Sequence, residues 1–124
     1  MQLINVALGG TLHQSLHGFY DEYPAIRSVL PRKLVKLTQG SGLQETIGAD
    51  SVLVNALHRQ AIDCLGQRLV AVAHEANGVL QGFEAAGDRW LVGVQWHPEY
   101  LPQRADQRAI FAALVAQSTN RKGQ

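Results

Sequence analysis

A single cysteine, Cys64, is all the thiol the 124 residues hold. No internal disulfide can form, which agrees with a reducing compartment, and the cytoplasm is the expected address. Neither sign of charge is in surplus: eleven Lys and Arg face ten Asp and Glu, a formal charge of +1. Without a basic excess nothing draws the chain to a phosphate backbone, so nucleic acid is not an expected partner. No run approaches the ~20 consecutive apolar positions that a membrane-spanning helix needs. The first residues also lack a basic stretch followed by an apolar run and a cleavage site, and no membrane partner is expected. Internal repeats, low-complexity tracts and linkers are missing as well. What remains is 46% hydrophobic and 17% charged residues, the proportions of an ordinary globular protein, at a length that suits one small domain over residues 1–124.

Local patterning sketches the elements. Leu3, Ile4, Ala7 and Leu8 fall at helical spacing and Gly9-Gly10 supplies a stop, so a short helix is expected at the amino end, with no Ser, Thr, Asp or Asn ahead of it as a cap. Residues 11–31, which include Pro24 and Pro31, read as a surface segment with one turn of helix around 24–29. Residues 33–38 alternate charged and apolar side chains and predict a strand with a covered face. A turn at 39–42, a short helix around 43–47 and a β-prone run at 51–55 follow, and then a polar cluster of Asn55, His58, Arg59 and Gln60.

Further on, the runs 69–73, 79–84 and 90–96 are strand-like. They are separated by Asn77-Gly78 and Gly87-Asp88, which supply the positive φ angles of tight hairpins, and they predict an antiparallel meander. Residues 106–118 predict a closing helix with Ile110, Phe111, Leu114 and Val115 on one face and Asp106 as its cap, before a frayed polar tail at 120–124.

Trp96-His97-Pro98-Glu99 stands where an apolar strand ends and side chains emerge into a cleft. Pro98 pushes His97 toward extended geometry. Residues two apart in an extended segment project to one side, so the Glu99 carboxylate can accept a hydrogen bond from His97 Nδ1 and leave Nε2 free as a base. That is the second half of a nucleophile–base–orienter triad. A surface pair that merely closes a strand end fits the same residue types. Cys64 reads as a small, buried or half-buried thiol. His13 and His17 stand four apart, but the segment between them lacks a helical pattern and no third ligand presents itself, so no metal is expected. Trp90 and Trp96 read as core or cleft-wall packing, and Gly9-Gly10 as a helix stop too short for a phosphate loop.

The run Gly93-Val94-Gln95-Trp96-His97-Pro98-Glu99 resembles the G-x-Q-x-H-P-E signature of class I glutamine amidotransferases, whose His and Glu complete a Cys-His-Glu triad. Met1 to Leu12 is similar to the helix and loop that follow the nucleophile in the γ-glutamyl-γ-aminobutyrate hydrolase branch of that superfamily. Val54-Asn55-Ala56-Leu57-His58-Arg59-Gln60-Ala61-Ile62 is similar to the V-N-S-x-H-x-Q-A-I block of the same branch.

The resemblance implies an α/β fold: the C-terminal portion of a flavodoxin-like amidotransferase domain, with the meander and the closing helix. It implies hydrolysis of a small γ-glutamyl amide without metal or organic cofactor, with His97 and Glu99 as catalytic residues. Gln2 would hold the γ-glutamyl group and His58 would line its pocket; an ordinary helix-surface glutamine and a loop histidine bonded to backbone are the plain alternatives. The family's nucleophile sits in a G-x-C-x-G-x-Q elbow, and aligning its last Gln with Gln2 places the cysteine three positions before Met1. The expectation is therefore a chain with base and orienter but no nucleophile, inactive by itself. The alternative is a non-catalytic protein that binds a γ-glutamyl ligand, or that dimerises through uncovered sheet edges and apolar helix faces; a homo-oligomer is expected.

Overall fold

The computed structural model describes residues 1–15, 28–56 and 60–122. Helix α1 (Gln2–Ala7) opens the chain, and Gly9, at φ +92°, ends it where the glycine pair predicts. No side chain caps its start. A helix of six residues is marginal alone, and Asn5 supplies the anchor. This fully buried side chain donates to the carbonyls of Thr11 (3.3 Å) and Cys64 (3.1 Å) and accepts from the Gly66 N–H at 2.7 Å. Beside the helix, β1 (Leu12–His13) and β4 (Ala61–Ile62) form a small antiparallel ladder.

Among the described residues the main sheet has five strands. β2 (Ser28–Leu37), β3 (Ser51–Ala56), β5 (Leu69–His74), β6 (Leu80–Ala85) and β7 (Val92–Val94) stand in the order β3-β2-β5-β6-β7, with every neighbouring pair antiparallel. The last three strands are the expected meander, and Gly78 and Gly87 take the positive φ that its turns demand. On β2 the alternation is strict: Lys33, Val35 and Leu37 are buried while Leu34 and Lys36 are exposed. The buried Lys33 ammonium meets the buried Glu75 carboxylate at 3.1 Å, which is what allows a lysine to sit on the covered face. Helix α2 (Gly42–Ile47) is capped by Ser41, whose hydroxyl accepts from the Gln44 N–H at 3.1 Å.

Among the described residues two apolar clusters hold the layers. Val35, Leu37, Leu43, Val52, Val54, Val72, Ala73 and Trp96 form one, with Ile110 of helix α3 (Ala105–Lys122) against it. Ile62, Leu69, Leu80 and Phe83 form the other, against which Met1, Ile4 and Leu12 pack. Phe83 explains a glycine of the signature: a Cβ at Gly93, its partner across the β6–β7 ladder, would meet the Phe83 ring at 2.5 Å.

Several expectations need correction. Ser28 and Val29 belong to β2 rather than to a helical turn, and 24–27 lie outside the described residues. Asp106 does not cap α3; it lies in the first turn, where its carboxylate accepts from the Arg104 guanidinium at 3.1 and 3.3 Å. The helix also runs on to Lys122, so residues 120–122 are not a frayed tail. Cys64 is exposed rather than buried or half-buried: its stretch is fixed through main-chain bonds, the carbonyl accepting from the Thr11 N–H and from Asn5 and the N–H donating to the Thr11 hydroxyl, so burial of the thiol is not what anchors it. Among the described residues no helix is long and apolar enough to cross a membrane.

Candidate active site

β7 stops at Val94, and the next three residues leave the ladder under separate restraints. Gln95 still donates its N–H to the Gln81 carbonyl at 2.8 Å. Trp96 turns into the core, where its indole N–H donates to Oε1 of the fully buried Gln107 at 2.8 Å, and Gln107 in turn donates to the Leu53 carbonyl of β3 at 3.4 Å. The peptide of His97 is held by Asn55 of β3, through two bonds of 2.7 Å.

A 3₁₀ turn, Pro98–Tyr100, follows, with the Tyr100 N–H donating to the His97 carbonyl at 3.2 Å. The turn corrects the sequence reading on one point. His97 and Glu99 do meet, but not because the chain is extended across them. Pro98, with its fixed φ and missing N–H, suits the first position of a helical turn, and the turn swings Glu99 back toward the imidazole.

His97 Nδ1 lies 2.7 Å from Glu99 Oε1. An ionised carboxylate only accepts, so Nδ1 carries a proton, and whenever the imidazole is neutral it is Nε2 that holds the lone pair. Both side chains are about half exposed, at 44% and 51%, so the pair is screened and adds little to stability. Slight burial pushes the Glu99 pKa up, but the hydrogen bond from His97, a backbone hydrogen bond and the charge of His97 outweigh it and hold the carboxyl below the usual carboxylate range.

A depressed folded-state value means that the small stabilisation from this pair is complete above the ordinary Glu range and disappears as pH falls through the lowered value. In a ¹³C titration of the Glu99 side chain, the midpoint should lie below that of an exposed Glu and rise on His97→Ala. An unchanged midpoint would show that the pair does not persist in solution.

The pair lines an open cavity of about 950 Å³. Met1, Gln2, Leu3 and Ile4 of the amino end form one wall, and Phe111 and Leu114 of α3 form another. Gln2 reaches across to donate to the Gln60 carbonyl at 3.2 Å. Thus Gln2, His97 and Glu99 line one cavity. His58 falls outside the described residues. Trp90 lines the cavity, in keeping with a cleft-wall role. His13 lies in β1, not on a helix, with its Nε2 at 3.3 Å from Asp63 Oδ1; His17 is outside the described residues. Among the described residues no three His, Cys, Asp or Glu side chains gather as metal ligands would.

Comparison with known proteins gives this geometry a context. The family described as Peptidase C26 matches residues 1–99, from α1 through Glu99. The Mycobacterium tuberculosis protein named "Putative glutamine amidotransferase Rv2859c" is 41% identical over 116 residues, which cover 92% of this chain and 36% of that protein. Gamma-glutamyl-gamma-aminobutyrate hydrolase PuuD of Escherichia coli is 28% identical over 125 residues, covering 93% of this chain and 49% of that one.

Among solved structures, a "putative gmp synthase subunit a protein" of Thermoplasma acidophilum superposes with a TM-score of 0.73 at 18% identity, covering 99% of this chain and 57% of the other. A glutamine amidotransferase of Thermotoga maritima gives 0.57 at 16% identity, covering 98% and 46%. At such identities the structures speak to fold alone, and the fold is that of the glutamine amidotransferases. The chain spans 36% and 49% of the length of the two curated relatives named.

Proposed function

We propose, from the premise that the chain belongs to the Peptidase C26 family within the class I glutamine amidotransferase-like superfamily, that it carries the base and orienter of a γ-glutamyl amide hydrolase. The observation that carries the reading is the 2.7 Å contact between His97 Nδ1 and Glu99 Oε1 on the wall of a cavity that α1 also lines. In the reaction His97 Nε2 takes the proton of a cysteine thiol delivered at the amino end of α1. The thiolate attacks the γ-carbonyl and backbone amides stabilise the oxyanion. His97 returns the proton to the leaving amine as the C–N bond breaks. Water, deprotonated by the same imidazole, then splits the γ-glutamyl thioester and frees the thiol and the acid. Glu99 keeps Nδ1 protonated and supports the imidazolium. Gln2, beside the point of attack, holds the γ-glutamyl group.

Cys64 is not that nucleophile: it is exposed on the loop after β4 and does not line the cavity. The 124 residues by themselves therefore hold a base without a thiol to activate. The test is release of product from glutamine and from γ-glutamyl-γ-aminobutyrate by a form in which a thiol-bearing strand-to-helix turn precedes Gln2. Hydrolysis that needs both the thiol and His97 supports the reading; hydrolysis indifferent to His97 sinks it.

A second reading concerns assembly, and exposed apolar side chains favour it. Leu3 is 82% exposed, Val115 65% and Leu114 49%, on the two helices that flank the cavity. Such a surface is costly in water, and covering it with a second copy removes the cost. The chain is expected to elute as a dimer or larger assembly in light scattering, with Leu114→Glu shifting it toward monomer. A well-folded monomer of the unaltered chain at micromolar concentration would count against this.

A further inference from the structure

We propose that Asn55 is a positioning residue for His97, acting on its peptide rather than on its ring. The inference deepens the hydrolase reading and rests on it for the role of His97 as base; the clamp itself does not. In β3 the buried residues Val52 and Val54 put position 55 on the alternate, outward side, yet Asn55 is only 1% exposed. The segment leaving β7 covers it. Its Oδ1 accepts from the His97 N–H and its Nδ2 donates to the His97 carbonyl, both at 2.7 Å. A side-chain amide thus makes the paired N–H and C=O bonds that an opposite peptide makes in an antiparallel ladder.

A residue gripped at both its N–H and its C=O has little freedom in φ and ψ, which are −113° and 88° at His97. The direction of its Cα–Cβ bond is then set, and with it the place from which the imidazole meets Glu99. The His97 carbonyl also accepts from the Tyr100 N–H, so the clamp sits at the junction between the strand end and the turn that carries Glu99. Asn55 does not line the cavity and acts through His97.

The test reads the ring itself. In the ¹⁵N-labelled chain, long-range couplings from the imidazole carbon-bound protons report how much neutral His97 carries its proton on Nδ1 and how much on Nε2. The unaltered chain should favour Nδ1–H. Asn55→Ala should lower the Nδ1–H to Nε2–H ratio about fivefold, the change that one net hydrogen bond brings to an equilibrium. Asn55→Ser keeps an uncharged hydroxyl that can reach at most one of the two His97 groups; it should lower the ratio about twofold, and it decides the matter if the alanine variant does not fold.

Val35→Ala, at a fully buried core position away from the cavity, controls for destabilisation and should leave the ratio unchanged. An unchanged ratio in the folded Asn55 variant, or an equal change in Val35→Ala, overturns the proposal. If thiol-bearing forms prove inactive while the ratio shifts as expected, the hydrolase reading falls and the clamp stands. Hydrolysis with an unmoved ratio gives the converse.

Discussion

Given glutamine or γ-glutamyl-γ-aminobutyrate at neutral pH, the 124-residue chain is expected to release product no faster than buffer does. The barrier lies in attack on a resonance-stabilised amide carbonyl. An imidazole poised by a carboxylate can remove a proton, but it cannot replace the thiolate whose covalent intermediate divides that attack into two easier steps. In triads of this kind, loss of one member forfeits about 10⁴ to 10⁶-fold in rate, because the members act as a unit. The chain's sole cysteine lies on an exposed loop and not on the cavity that holds His97. Glutamate release followed by a coupled assay is sufficient. Turnover at about 1 to 10³ s⁻¹, the ordinary range of enzymes, abolished by His97→Ala, would show that some group here replaces the thiol.

The complementary result carries an effect of the same size. A form that brings a thiol to the amino end of α1 is expected to regain that factor, and His97→Ala within it to lose about 10⁴-fold or more in kcat. The geometry gives the reason: α1 and the His97–Glu99 pair lie on the same cavity, with Nδ1 committed to the carboxylate and Nε2 left to face a donor. The loss should fall on kcat far more than on KM, since the base acts in the transition state. A His97→Ala variant with kcat within tenfold of its parent would remove His97 from the chemistry.

Much of this was legible in the residues. The glycines that end α1 and turn the meander declare themselves through the positive φ they alone take freely, and the apolar runs between them carry the strands. The pairing of His97 with Glu99 was legible too, but for an incomplete reason: a two-residue offset suggests an extended segment, whereas Pro98 starts a turn that achieves the same meeting. What the sequence hid were the buried amides. Asn55 and Gln107 sit where long-range packing, not local pattern, decides burial, and a polar residue at an outward position gives no sign that another segment will cover it. Asp106 was misplaced for a related reason, since an acidic residue serves a helix start equally as a cap or within the first turn.

The anchor of α1 bears on how sequences of this kind can diverge. All three bonds of the Asn5 side chain end on main-chain atoms, those of residues 11, 64 and 66. Drift at position 64 therefore costs the grip nothing, because every amino acid offers the same carbonyl, and at position 11 it costs only the separate bonds of the Thr11 hydroxyl to the Cys64 N–H and Asp63. The constraint collects instead on Asn5 and on two glycines: a methyl group at position 10 would strike the Asn5 amide, and one at 66 would come within 2.8 Å of the Asn5 carbonyl oxygen. Homologues should then vary freely along the loop while these three positions change together or not at all.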